Sequence, residues 1–85
     1  MKEIRYSITD PCGIHARLAG QLMRLAQSYE AEVEIFRGEK HGNMKNLLSL
    51  MSLGVRQGET VVVQAAGADE EACAAAIEAF LQEKL

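Results

Sequence analysis

The sequence has few aromatic side chains and little proline. It contains no tryptophan, two phenylalanines, two tyrosines and one proline among its 85 residues. Because aromatic side chains are scarce, valine, isoleucine, leucine, methionine and alanine have to fill the interior. One proline and an apolar fraction of 48% argue against a disordered chain. We therefore expect one small domain, residues 1–85, near the lower size limit for folding on a single core.

Cysteine, excess positive charge and long apolar runs are also scarce, and each absence excludes a class of protein. Two cysteines, Cys12 and Cys73, are too few for the disulfide framework of a small secreted domain, so the expected location is cytoplasmic. A net charge of −3 provides no basic stripe for nucleic acid. No apolar run approaches the ~20 residues that span a bilayer, so no membrane insertion is expected. The start, Met1–Glu3, does not resemble a signal peptide.

The spacing of apolar residues predicts four strands and three helices in the order βαββαβα. Strands are predicted near residues 4–8, 32–37, 40–43 and 60–66. Helices are predicted over residues 16–29 and 47–53, and from residue 70 through 81. Asp69 is the predicted N-cap of the last helix. Such an order places helices on one face of a largely antiparallel sheet.

His15 lies where a loop gives way to the first predicted helix, and Arg17 follows two positions later. An imidazole there lies beside the unpaired backbone N–H groups of the first turn, where anions are favoured. The positive end of the helix dipole also disfavours an imidazolium, which keeps a nitrogen lone pair free. This arrangement suits a group that accepts and releases a phosphoryl, although the spacing alone does not establish that role.

The polar face of the first helix carries Arg17 and Arg24. It is either an ordinary solvated surface, which periodicity alone favours, or a docking face for an acidic partner. The second helix is apolar nearly all round, and a helix of seven residues cannot bury every side chain. With Leu50 and Leu53 predicted to face inward, an exposed apolar patch is expected there, which commonly marks an interaction site. Its candidates are Leu47, Leu48 and Met51.

Cys12 and His15 form a Cys-x-x-His spacing, which also fits a thiol–imidazole nucleophile or a pair of metal ligands. A zinc site needs about four ligands, and only Cys73 and His41 remain. Cys73 fits the inner face of the last helix and His41 an exposed hairpin edge, so no metal site is predicted. A nucleophile lacks an orienting carboxylate of evident placement, although Asp10 is near in sequence. We interpret Cys12 as an inert loop thiol.

Three segments together resemble the HPr family, the histidine-containing phosphocarriers of the bacterial phosphoenolpyruvate-dependent sugar phosphotransferase system. They are Gly13-Ile14-His15-Ala16-Arg17, Asn43-Met44-Lys45-Asn46-Leu47-Leu48 and Leu50-Met51-Ser52-Leu53-Gly54. The segment Gly67-Ala68-Asp69-Glu70 also matches, and the length and element order agree, so the resemblance covers essentially the whole chain. It implies an α+β fold, an open-faced β-sandwich with a four-stranded antiparallel sheet and three helices on one face.

The resemblance implies that His15 accepts a phosphoryl group from phosphorylated enzyme I and passes it to the A domain of a sugar permease. It implies that Arg17 steadies the phosphohistidine, and that the backbone N–H groups of Ala16 and Arg17 receive the phosphoryl oxygens. No cofactor is implied. A monomer suits a shuttle that docks with two partners in turn. The implied partner-binding residues are Arg24, Leu47, Leu48 and Met51.

Two positions depart from the family pattern. Leu18 stands where the family usually has proline, and leucine loosens the preset geometry of the first turn, so a modest change in transfer rate is expected. Asn46 stands where many Gram-positive relatives carry a serine that a regulatory kinase phosphorylates. Asparagine keeps the N-cap role but has no hydroxyl, so this switch is predicted to be absent. Ser49 and Ser52 do not match the regulatory position.

The two departures leave one alternative open, an HPr-like regulatory or adaptor module that binds partners without phosphoryl flux. Leu18 and Asn46 favour it, whereas the retained His15 and Arg17 weigh against it. The sequence names neither the sugar nor the permease, nor whether the protein serves transport or a regulatory branch.

Overall fold

The computed structural model describes residues 1–85, and its elements follow the predicted order βαββαβα. The strands are β1 (Lys2–Ser7), β2 (Glu32–Arg37), β3 (Lys40–Asn43) and β4 (Thr60–Ala66). The helices are α1 (Ala16–Gln27), α2 (Leu47–Ser52) and α3 (Glu70–Lys84). The strands form one antiparallel sheet in the order β1-β4-β2-β3. None of the three helices is long and apolar enough to cross a membrane.

Alternating side chains give the sheet one buried and one wet face. On the central strand β4, Val61, Val63 and Ala65 are buried. The register pairs Val63 with both Ile4 and Ile35, so buried side chains of three strands meet at one level. The helices cover this face, as predicted for an open-faced β-sandwich. The opposite face carries polar side chains, among them Glu3, Arg5, Glu32, Glu34 and Gln64.

One cluster of buried apolar side chains joins the helices to the sheet. Helix α1 contributes Leu18, Ala19, Leu22 and Ala26. On α3, Cys73 is fully buried, and this burial raises the pKa of its thiol. Cys73 therefore lies on the inner face of α3, as predicted, together with Ala74, Ile77 and Leu81.

Helix α1 ends two residues earlier than predicted, at Gln27 instead of Tyr29. Ser28 is the C-cap residue, and its hydroxyl donates to the carbonyl of Leu25 at 2.6 Å. A serine hydroxyl that bonds a nearby carbonyl competes with the next helical hydrogen bond. Apolar spacing alone extended the helix too far because Tyr29 packs against the core from beyond the helix end.

Asp69 precedes α3, as predicted, but its carboxylate does not cap that helix. Oδ2 accepts the backbone N–H of Glu30 and Oδ1 accepts that of Ala31, each at 2.8 Å. These bonds tie the turn after α1 to the start of α3, and the first of them is the main cause that holds the pKa of Asp69 below its usual range. Asp69 is therefore the N-cap residue, as predicted, but its side chain bonds the backbone of a turn 38 residues away, a partner that a local pattern does not reveal.

Candidate functional site

His15 is the N-cap residue of α1 and has an extended backbone, with φ −96° and ψ 171°. Its carbonyl accepts the N–H of Ala19 at 2.8 Å, while its side chain caps nothing. Histidine is an unusual N-cap, since the preferred residue types supply a side-chain oxygen to the first turn. The imidazole is partly exposed, so it is available to a partner from solvent.

The first turn of α1 keeps its backbone donors free beside His15. No carbonyl or side chain accepts the N–H of Ala16, Arg17 or Leu18 within the chain. No acidic residue lies in this turn, so no carboxylate there competes with an incoming anion. The turn therefore presents three N–H groups and the positive end of a twelve-residue helix to an anion.

Residues 8–14, called here the histidine loop, are held by residues 54–59, the 54–59 loop between α2 and β4. At one end, Ile8 exchanges two backbone hydrogen bonds of 2.8 and 2.9 Å with the end of the 54–59 loop. At the other end, Ile14 donates its N–H to the carbonyl of Val55 at 3.1 Å. The position of His15 therefore depends on a second loop, distant in sequence.

Gly13 lies against the backbone of the 54–59 loop. A Cβ at this position would lie 2.2 Å from the carbonyl oxygen of Val55 and 2.8 Å from the Cα of Arg56. Its φ of 63° is also a conformation that favours glycine. The turn over residues 10–13 is completed by Asp10, whose Oδ1 accepts the N–H of Cys12 at 2.8 Å and whose carbonyl accepts that of Gly13 at 2.9 Å.

The predicted arginine face of α1 is exposed and uncompensated. Arg17 and Arg24 are both exposed, and neither forms an ion pair within the chain. Arg24 lies in the last turn of α1, where a cation is favourable to the helix dipole. Both guanidinium groups are therefore available to an acidic partner.

Helix α2 presents the apolar patch that its sequence predicts. Asn46 caps the helix, since its Oδ1 accepts the N–H of Ser49 at 3.0 Å. Leu50 and Leu53 are buried, and Gly54 follows with the positive φ of a helix-terminating glycine. The three exposed side chains, the α2 patch, are Leu48 (78% exposed), Leu47 and Met51 (40% each).

Hydrogen bonds fix α2 in relation to α1. The side chain of Gln27 donates to the carbonyl of Lys45 at 3.0 Å, and Lys45 Nζ donates to the carbonyl of Tyr29 at 2.7 Å. Both bonds join the end of α1 to the segment that leads into α2, and the two helices pack together. The two helices that carry the candidate docking residues are therefore held in a fixed relation to each other.

The stretches that form the candidate site contain no acidic residue. None occurs over residues 11–29, which include α1, or over residues 40–58, which include α2. Five of the nine lysines and arginines lie in these stretches. They are Arg17, Arg24, Lys40, Lys45 and Arg56. The part of the protein that bears the site is positive although the net charge is −3.

No metal or thiol site is assembled around Cys12. Cys12 is exposed, whereas Cys73 lies in the core. His41 is an exposed hairpin residue, as predicted, and its Nδ1 lies 3.2 Å from a carboxylate oxygen of Glu34. No three His, Cys, Asp or Glu side chains are grouped so that they could hold a metal ion. The carboxylate of Asp10 accepts the backbone N–H of Cys12, so it bonds the backbone of its own loop.

Comparison with known proteins identifies the family. The family model described as PTS HPr component phosphorylation site matches residues 2–83. The chain belongs to the HPr family. The phosphocarrier protein HPr of Mycoplasma genitalium is 41% identical over 83 residues, which cover 96% of this chain and 94% of that protein. The family resemblance is therefore confirmed, and the protein is an HPr phosphocarrier of the phosphotransferase system.

Solved HPr structures share the whole architecture. The crystal structure of HPr-C-His from Thermoanaerobacter tengcongensis matches with a TM-score of 0.94 and 33% identity, covering 99% of this chain and 94% of that one. The crystal structure of an HPr dimer from the same organism matches with a TM-score of 0.79 and 33% identity, covering 99% of this chain and 97% of that one. The predicted α+β fold, with four antiparallel strands and three helices, is confirmed.

The sequence did not predict the part that the 54–59 loop plays beside the HPr histidine. Most of its hydrogen bonds with the histidine loop join backbone atoms, and backbone hydrogen bonds between distant loops leave no periodic pattern. The available signal was Gly13, because a glycine next to a site often marks the close approach of another segment. That signal indicates an approaching segment without identifying Val55 or Arg56.

Proposed function

We propose that the protein carries phosphoryl groups on His15, receiving them from phosphorylated enzyme I and passing them to permease A domains. One observation carries the proposal: a partly exposed imidazole lies at the N-cap of a helix whose first three N–H groups have no acceptor. The charge pattern supports it, because residues 11–29 and 40–58, which include α1 and α2, carry five basic residues and no acidic one.

The proposed transfer needs only positioning and charge stabilisation. A ring-nitrogen lone pair of His15 forms a bond to phosphorus while the bond between phosphorus and the donor breaks, and the donor keeps that electron pair. The N–H groups of Ala16 and Arg17 receive the phosphoryl oxygens, and the guanidinium of Arg17 supplies the neighbouring charge. In the second transfer the acceptor forms a bond to phosphorus while the bond between phosphorus and His15 breaks, and His15 keeps that electron pair.

The proposed docking surface consists of Arg24 and the α2 patch. Exposed apolar side chains together with unpaired guanidinium groups fit a partner that has an apolar spot and acidic residues. Neither depression of the molecular surface is lined by His15, by Arg17 or Arg24, or by a residue of the α2 patch. Water exclusion during transfer therefore comes from the partner, which covers His15 when it docks.

We propose a cytoplasmic monomer as the working form, since one monomer presents His15, the arginine face and the α2 patch together. Sedimentation equilibrium at several concentrations tests the monomer, because a concentration-dependent increase in mass would contradict it. The related HPr dimer makes this comparison informative. Cell fractionation tests the location.

We also propose that regulation by serine phosphorylation is absent. Asn46 occupies the family's regulatory position and serves as the N-cap of α2. A kinase that phosphorylates serine in HPr relatives is expected to leave this protein unlabelled. Label on Ser49 or Ser52 would contradict the proposal.

The deciding experiment uses the two histidines of the chain. Incubation with enzyme I and phosphoenolpyruvate is expected to add one acid-labile phosphoryl group to the unmodified protein and to His41→Ala, and none to His15→Ala. Intact-mass spectrometry before and after acid treatment measures the label. Label that persists in His15→Ala would place the acceptor elsewhere.

The adaptor alternative predicts a different result in the same experiment. Leu18 and Asn46 favour it, because both depart from the family pattern. A stable complex with enzyme I and no phosphoryl label on the unmodified protein would support an adaptor and overturn the carrier proposal.

A further inference from the structure

Arg37, the last residue of β2, joins the two ends of the 54–59 loop. Its Nη1 donates to the carbonyl of Leu53 at 2.7 Å, just before the loop. Its Nε and Nη2 donate to Oε2 of Glu59, the last loop residue, at 3.0 and 2.8 Å. One planar guanidinium therefore spans the loop, a geometry that the ammonium of lysine does not reproduce.

Glu59 adds a bond inside the same loop. Its Oε1 accepts the N–H of Arg56 at 2.7 Å, and its own N–H donates to the carbonyl of Arg56 at 3.1 Å. The guanidinium of Arg37 is the main cause that holds the pKa of Glu59 below its usual range. The carboxylate therefore couples Arg37 to the residue that lies against Gly13.

The 54–59 loop in turn supports the histidine loop, whose Thr9 and Asp10 also donate their N–H groups to the carbonyl of Leu85. It bonds Ile8 at one end and Ile14 at the other, and the side chain of Gln57 donates to the carbonyl of Thr9 at 3.1 Å. Val55 is the one loop side chain that is buried, so apolar packing alone gives this loop little support. Its shape rests chiefly on hydrogen bonds, of which those of Arg37 and Glu59 involve charged groups.

We propose that Arg37 and Glu59 are positioning residues for His15, which hold the 54–59 loop and through it the histidine loop in the geometry required for phosphoryl transfer. The inference rests on the proposed function. Neither residue belongs to the site or to the proposed docking surface. Their effect is therefore expected on the transfer step and not on the affinity for partners.

The expected size of the effect follows from geometry. Displacing a reacting group by about 1 Å can cost up to about a hundredfold in rate. The partly exposed imidazole makes no hydrogen bond of its own within the chain, so we expect Arg37→Gln and Glu59→Gln each to lower kcat for transfer from phospho-enzyme I by about tenfold. KM for enzyme I is expected to stay unchanged.

The test compares Arg37→Gln, Glu59→Gln and the double variant with the matched control Arg5→Gln. Arg5 is an exposed strand arginine that makes no ion pair. The control is expected to keep both kcat and KM. Because the two side chains act as one unit, the double variant is expected to resemble the single ones. Arg37→Lys keeps the positive charge but not the planar guanidinium, and its rate is expected to lie between those of Arg37→Gln and the unmodified protein.

Amide hydrogen exchange provides a readout independent of activity. In Arg37→Gln and Glu59→Gln, the amide of Ile14 is expected to exchange faster than in Arg5→Gln, because its bond to Val55 is loosened. The amide of Leu22, inside α1, is expected to keep its protection. This contrast separates a positioning role from general destabilisation.

Several results would overturn the inference. They are an unchanged kcat in both variants, a change confined to KM, and faster exchange at Leu22 to the same degree as at Ile14. If the unmodified protein accepts no phosphoryl group, the proposed function fails. The exchange of Ile14 then still decides whether Arg37 and Glu59 hold the histidine loop.

Discussion

Three backbone N–H groups in the first turn of α1 have no acceptor within the chain, and the third belongs to Leu18. The family usually has proline there, which would supply no N–H and would fix φ. The leucine side chain is only 6% exposed and packs in the core. Compared with proline, Leu18 therefore adds one backbone N–H donor and a side chain buried in the core. Its φ, however, is not fixed in advance for the turn.

Leu18→Pro is expected to raise the transfer rate modestly and to lower the free energy of unfolding by about 1–3 kcal/mol. The fixed φ orients the turn, whereas loss of the buried isobutyl group weakens the core. Rapid-quench phosphorylation and urea denaturation measure the two effects. Leu18→Ala is the control, because it loses the burial without fixing φ. Equal transfer rates for the two variants would contradict the prediction.

Gly13 and Gly20 form a matched pair for testing backbone constraint. Gly13→Ala is expected to lower the free energy of unfolding by at least about 2 kcal/mol, because a Cβ meets backbone atoms and φ is positive. Gly20 lies within α1 with no atom near its Cβ position. Gly20→Ala is therefore expected to stabilise the protein by about 0.5–1 kcal/mol. Urea denaturation measures both free energies of unfolding. An unchanged free energy of unfolding in Gly13→Ala would show that the two loops can move apart at little energetic cost.

At the scale of elements, α2 is a short helix held by its ends and by two inward leucines. Asn46 caps its start, Gly54 follows its end, and Leu50 and Leu53 anchor it to the core. An isolated helix of six residues is not stable in water, so α2 depends on these contacts. Because Leu50 and Leu53 anchor the helix to the core, the exposed side chains of the α2 patch are not needed to anchor it.

Leu48→Ser is expected to separate docking from folding. The side chain is 78% exposed, so the free energy of unfolding is expected to change by less than about 0.5 kcal/mol. Affinity for enzyme I is expected to fall about tenfold, a typical loss at the centre of an interface. Isothermal titration calorimetry measures the affinity. Leu50→Ala is the opposite control, expected to cost about 2–5 kcal/mol of stability. Unchanged affinity of Leu48→Ser would remove the α2 patch from the docking surface.

The elements differ in how far their sequence predicts them. The bounds of β2, β3 and β4 match the prediction, because alternation and bounding glycines are local signals. The end of α1 and the partner of Asp69 were missed because a serine side chain and a distant turn decide them. At the candidate site, the placement of His15, the arginine face and the α2 patch followed from helix spacing. The supporting 54–59 loop did not, since its contacts join residues far apart in sequence.

At the scale of the whole molecule, charge is segregated. The stretches that form the candidate site contain none of the twelve acidic residues, which therefore lie on the remaining elements and loops. Such an arrangement orients the protein in the field of an acidic partner before contact is made. The negative remainder also discourages docking through the wrong surface.

The acidic residues also govern stability at low pH. The pKa values of Glu59, Asp69 and Glu70 are held below the usual range, chiefly by hydrogen bonds from Arg37, from the Glu30 N–H and from the N-terminal ammonium, respectively. Because the folded state lowers these pKa values, it binds fewer protons than the unfolded chain in acid. The stability they provide is therefore present above about pH 4–5 and is lost as the pH falls through the folded values.

Asp69→Asn is expected to reduce this acid dependence. The amide cannot titrate, and it offers one carbonyl oxygen where the carboxylate accepts two N–H groups. The variant is expected to be less stable at neutral pH and to lose less of its stability between pH 5 and 3. Thermal unfolding at a series of pH values measures the difference. Glu78→Gln, on the exposed side of α3, is expected to follow the unmodified protein. If the stability of Asp69→Asn changed with pH in the same way as that of the unmodified protein, Asp69 would not be a source of the acid dependence.

The proposed role gives both partners the same docking surface around His15, and this has a kinetic consequence. Donor and acceptor must occupy the same area, so their binding is mutually exclusive and each competes with the other. Residence on either one delays the next encounter. Throughput is therefore greatest at intermediate affinity, and a variant that binds enzyme I more tightly would slow delivery instead of speeding it.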